Sequence, residues 1–118
     1  MNYKTLLLGI LCFSIGQALG WLNANGQFFS SWIKNHPILI SAAFGIPIGM
    51  CSIYGTGFLV ETFSGEYWPA RLISFASGSF VFAVLTFIVF NEGVNIKTAT
   101  ILVLASIMII LQVFWKYD

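Results

Sequence analysis

The sequence predicts an all-α fold, a polytopic membrane protein built as a bundle of four transmembrane helices, and three observations carry that reading. Apolar residues make up 58% of the 118 positions and charged residues only 8%, against about 25% charged in an ordinary soluble domain. The apolar residues fall into four runs, each near the roughly 20 residues of helix that cross a hydrocarbon core about 30 Å thick. Trp21, Trp32, Tyr67, Trp68, Trp115 and Tyr117 stand near the ends of those runs, where an amphipathic ring is stable at headgroup level. The chain is read as a single domain, and its first partner is the lipid bilayer itself.

Each span follows from where polar residues, Pro or Gly interrupt an apolar run. Span one covers 5–22 and ends in Asn23-Ala24-Asn25-Gly26-Gln27. Lys4, an apolar run and the small residues before Gly20 give it some likeness to a secretory signal. The run continues to Leu22, however, with Gly16-x-x-x-Gly20 inside it, which predicts a retained, packed helix. Span two covers 37–60, with Pro37 at a helix start that tolerates its missing N–H. Pro47 lies inside this span among glycines and marks a place where the helix can bend. Span three covers 70–90, after the polar stretch from Glu61 to Trp68, and span four covers 98–115, after Asn91 to Lys97. Short connections make consecutive spans antiparallel neighbours.

Lipid tails are as apolar as Leu, so helices in a bilayer associate where small residues let backbones approach. Gly16 and Gly20 in span one, Gly45 and Gly49 in span two and Gly78 in span three are the expected packing positions, with Gly9, Gly55 and Gly57 adding to the same faces. Span four has no glycine from Ile101 to Leu111 and reads as a lipid-facing or helix-dimer surface.

Charge constrains orientation weakly. Lys4, Arg71 and Lys116 fall on the side of the termini, Lys34 and Lys97 on the other, and the positive-inside tendency then puts both termini in the cytoplasm by a margin of one. Such balance also permits insertion both ways and an antiparallel dimer. A net charge of +1 provides no field for nucleic acid, which is not an expected partner. The expected location is a cell's inner or plasma membrane.

No Asp, Glu, Lys, Arg or His lies near the centre of any span, and such residues are the usual mark of proton relays and ion pathways. Glu61, Glu66 and Arg71 gather at one end of spans two and three, where a Glu61–Arg71 ion pair at the interface is expected. Cys12 and Cys51 lie in apolar runs and read as small buried hydrophobes. No catalytic set, metal-ligand spacing or phosphate-binding loop occurs, so neither enzyme activity nor a cofactor or metal is expected. The uncharged polar residues within the spans include Ser14, Gln17, Ser52, Tyr54, Thr56 and Ser74. Gln17 is the costliest of them to bury, because an amide in hydrocarbon needs partners. It is expected to point into the bundle, joining helices or meeting a solute.

Spans three and four carry a resemblance. Ser77-Gly78-Ser79, the apolar run to Phe90, the turn Asn91-Glu92-Gly93-Val94-Asn95-Ile96-Lys97 and the stretch from Ala99 to Gln112 resemble the corresponding half of the small multidrug resistance family, within the drug/metabolite transporter superfamily. The resemblance covers roughly 45 residues and the four-span plan. It implies a transporter-like protein that dimerises through its fourth span. In that family an embedded Glu in span one stands three residues before a Gly. Aligning Gly16 with that Gly puts Phe13 at the Glu position, beside Ser14, so proton-coupled efflux of cations is not implied. Phe13, Ser14, Gln17 and Tyr54 are therefore the candidate solute-contacting residues. The leading functional reading is a homodimeric, transporter-like protein for a neutral or amphipathic solute. The competing readings are an accessory membrane subunit without transport and a small channel or pore.

Overall fold

Runs of apolar side chains in hydrocarbon leave the backbone no option but internal hydrogen bonding, and the computed structural model, which describes residues 2–115, is correspondingly helical throughout. Its elements are α1 (Tyr3–Asn25), a 3₁₀ turn (Gly26–Phe28), α2 (Ser31–Asn35), α3 (Pro37–Thr62), α4 (Trp68–Phe90) and α5 (Ile96–Phe114). Four of these helices, α1, α3, α4 and α5, are long and apolar enough to cross a membrane. The chain is an integral, multi-pass membrane protein of all-α class.

The helix ends differ from the hydropathy breaks by a few residues, and local chemistry explains the differences. α1 runs through Asn23 and Asn25 because a polar side chain does not stop a helix that is reaching water; the Asn25 side-chain amide donates to the Trp21 carbonyl at 3.2 Å. α5 starts at Ile96, where the Asn95 side chain accepts the Thr98 N–H at 2.8 Å and supplies an N-cap. α4 closes at Phe90 with Asn91 in the left-handed region at φ 55°, a usual helix stop. The α3–α4 turn needs the same region twice, at Ser64 (φ 57°) and Gly65 (φ 93°). The short α2, capped by Ser30, is an element that hydropathy does not reveal. α3 is continuous through Pro47.

The four spans form a flattened bundle, 54 × 35 × 19 Å, with α1 and α4 in the middle. α3 packs mainly on α1, α5 makes close backbone contact with α4 alone, and α3 meets α4 more sparsely. The core of Leu6, Phe13, Leu59, Ala70, Ile73 and Val113 lies at the end holding the start of α1, the α3–α4 turn and the end of α5. Both ends of the described chain therefore lie on one side of the bundle. Lys116 and Tyr117, used above for orientation and for the aromatic border, lie outside the described residues.

The α1–α3 seam is where small residues are needed. A Cβ on Gly9 would stand 2.6 Å from Leu59 Cγ, one on Gly16 would stand 3.1 Å from Cys51 Cβ, and one on Gly55 would stand 3.2 Å from the Phe13 ring. At the end of this seam the Thr5 and Thr62 hydroxyls hydrogen-bond across the helices at 2.7 Å, both buried. Gly20, Gly45 and Gly49 stand differently: a Cβ on any of them would meet nothing within 4 Å. The space beside them is open, so small size there serves no close approach within the chain.

Trp21 also departs from the expected headgroup position. It is 4% exposed, donates its indole N–H to Thr86 Oγ1 on α4 at 3.1 Å, and packs against Phe29 and Phe90. A ring with one N–H is as well suited to a buried site with one acceptor as to an interface. Trp32, Tyr67, Trp68 and Trp115 are exposed, as a border role requires.

Candidate functional site

Gln17 lies on the face of α1 turned toward α4, about 21 Å along the helix from Tyr3 and about 12 Å from Asn25 at 1.5 Å per residue, within the apolar part of the span. Room for its side chain comes from Gly78. A Cβ at Gly78 would lie 2.9, 3.0 and 3.1 Å from Gln17 Cδ, Oε1 and Nε2, so the amide occupies the place where any larger residue would project. Gly78 thus belongs to the α1–α4 contact, but what it accommodates is a polar group rather than a backbone.

The amide is half-buried and has no hydrogen-bond partner among the described residues. It borders a groove of about 460 Å³ whose walls include Phe75, Ser79 and Phe82 of α4 and Thr98 and Leu102 of α5. The groove exists because α5 joins the core through Val113 and Ile109 while its earlier turns stay close to α4 only. Ser79 bonds back to the Phe75 carbonyl at 3.2 Å, leaving Gln17 as the wall's uncommitted amide. One residue before Gly78, Ser77 is buried with its hydroxyl also unpaired. Phe82 borders a further groove of about 280 Å³, with Asn25, Thr86 and Glu92, which continues toward the α4–α5 turn.

The other sequence-derived candidates do not gather around Gln17. Phe13 faces the α1–α3 seam and a separate cavity with Ser52, Thr56 and Arg71. Tyr54 is 57% exposed on α3, and Ser14 is half-buried and borders neither groove. Phe75, Phe82 and Thr98 were missed by the sequence reading. Their spacing carried a signal only in combination, since Phe75, Phe82 and Gly78 lie three to seven residues apart on one side of a helix.

The expected Glu61–Arg71 ion pair is not formed. Arg71 instead holds its guanidinium 4.4 Å from the centre of the Phe75 ring. At the other end of the bundle His36 stacks on Trp32 and its Nδ1–H donates to the Trp32 carbonyl at 2.7 Å, which ties the start of α3 to α2.

An apolar bundle of four spans defines the class, a multi-pass helical membrane protein, and the groove faced by the unpaired Gln17 amide is its candidate site. No family model, no curated protein and no solved structure matches the chain, so its function is argued from these residues.

Proposed function

We propose that this protein is a small, transporter-like membrane protein that takes a neutral or amphipathic solute into the groove between α1, α4 and α5, with Gln17 as its polar contact, and that it works as a homodimer. The unpaired Gln17 amide carries the reading. Leaving an amide without a partner in an apolar setting costs about 1–3 kcal/mol, and a solute with one donor or acceptor removes that cost on binding. The aromatic and aliphatic walls suit the solute's apolar part. The resemblance of spans three and four to the small multidrug resistance family supports the transporter element, and Phe13 in place of that family's Glu supports a solute without positive charge. The groove is open on one side, which a second copy would close.

Flux of a panel of neutral and amphipathic solutes into proteoliposomes tests the proposal. Gln17→Leu is expected to weaken the responding solute about two- to tenfold, the worth of one hydrogen bond. Gly78→Ala is expected to do the same by displacing the amide. Absence of flux for every solute in the panel would favour the accessory-subunit reading. Passive ion conductance would favour a pore.

A further inference from the structure

One turn before Gln17 along α1, a cavity of about 190 Å³ lies between α1, α3 and α4, bordered by Phe13, Ser52, Thr56, Tyr67, Arg71 and Ser74. Two features distinguish it from the rest of the bundle. The first concerns hydroxyls. A Ser or Thr in a membrane helix ordinarily satisfies its O–H on the carbonyl one turn back, and Thr62, Ser79, Thr100 and Ser106 do so here. Ser14, Ser41, Ser77 and Thr98 do not, and neither do Ser52, Thr56 and Ser74; what sets this cavity apart is that three such hydroxyls, those of Ser52, Thr56 and Ser74, border it together. The second is Arg71, a permanent cation with no ion pair among the described residues, whose Cζ lies over the Phe75 ring 4.4 Å from its centre. Its N–H groups have no hydrogen-bond acceptor among the described residues and are free to donate.

We propose that this cavity binds the phosphate of an anionic lipid headgroup. Arg71 stands in the first turn of α4, which contains no acidic residue, and the positive end of the helix dipole adds to its charge. Tyr67 and Trp68, 77% and 75% exposed, put this turn at the membrane border, where lipid phosphates lie. The volume matches about six waters at ~30 Å³ each, enough for a head and not for acyl chains. The chains have a surface to follow beside it: Ser52 and Thr56 are open on α3, next to Ile53, which is 72% exposed. No carboxylate borders the cavity, so it has no acidic group to pair with the amine of a zwitterionic head.

Native mass spectrometry of the full chain, transferred from mixed micelles containing phosphatidylglycerol and phosphatidylcholine, tests this. The unaltered protein is expected to retain phosphatidylglycerol preferentially, and Arg71→Gln to lower that preference roughly ten- to a hundredfold, as for loss of a charged hydrogen-bond donor. Phe75→Leu removes the ring contact and keeps the guanidinium, so it should leave the preference in place. If Arg71→Gln loses helicity, Ser52→Ala with Ser74→Ala provides the same reading, at about two- to tenfold per hydroxyl. Equal retention of the two lipids by the unaltered protein, or an undiminished preference in Arg71→Gln or in the folded serine pair, would overturn the proposal. So would inorganic phosphate that displaces the lipid at comparable concentration, since the site would then recognise a free oxyanion. Gln17→Leu leaves this cavity untouched, so failure of the groove reading and failure of this one are distinguishable.

Discussion

Glycine illustrates how much a single position depends on its surroundings. Gly9 faces Leu59, which is fully buried, and a methyl group there would meet Leu59 Cγ at 2.6 Å. Since that atom is not the free end of a mobile chain, Gly9→Ala is expected to destabilise the protein by about 1–3 kcal/mol, the usual range for overpacking. Gly20 has open space, and Gly20→Ala is expected to be neutral or to stabilise by up to ~1 kcal/mol through helix propensity. Thermal unfolding of both variants in one detergent checks the contrast; a larger loss for Gly20→Ala would reverse the assigned faces of α1. Gly16-x-x-x-Gly20 is a conspicuous pair in the sequence, yet only its first member is in close contact.

At the scale of elements, polar side chains align helices that apolar burial alone would leave free to rotate or slide. Thr5–Thr62 joins α1 to α3 at one end, and Trp21–Thr86 joins α1 to α4 at the other. Trp21 Nε1–H and Thr86 Oγ1 have no other partner among the described residues, whereas the Thr5 and Thr62 hydroxyls also lie within reach of the Asn2 and Phe58 carbonyls. A double-mutant cycle over Thr5→Val and Thr62→Val is expected to show a coupling of about 0.6 kcal/mol, and no more than ~1.7, as for interhelical hydrogen bonds in bilayers. Coupling near zero would mean that glycine packing alone sets the α1–α3 register. Trp21→Phe, which keeps the ring and removes the N–H, is expected to cost a similar amount by unfolding in detergent.

At the scale of the molecule, the flat shape leaves α5 packed on one neighbour. Its Ala105 and Val113 are buried, while Val103, Ile107, Ile110 and Phe114 are exposed, a three-four spacing that forms one stripe away from α4. Ser106, an apparent contact point from its size, is half-buried and bonds to the Leu102 carbonyl at 3.0 Å. The proposed dimer is therefore expected to cross-link through Ile107→Cys and less through Ser106→Cys, in a background without Cys12 and Cys51. No cross-link at either position in bilayers would reject α5 as the dimer helix. The grouping of Leu6, Ala70 and Val113 at one end also requires that Tyr3→Cys and Trp115→Cys label from the same side of the membrane; opposite-side labelling would contradict the antiparallel order of the spans.

Hydropathy summed along the chain was enough to establish the class, the number of spans and their borders to within a few residues, because crossing a bilayer is a requirement on each segment separately. The lack of charge inside the spans was legible for the same reason, and with it the prominence of Gln17, whose cost of burial is a property of the side chain itself. Which glycines are used, why Trp21 is buried, where Arg71 turns and which residues surround Gln17 depended on helix rotation and crossing. Those are decided by pairs such as Gly9–Leu59, Trp21–Thr86 and Gln17–Gly78, separated by 50 residues or more. In a helix hydrophobic on every side no face is marked for the interior, so only the fit between distant partners selects one.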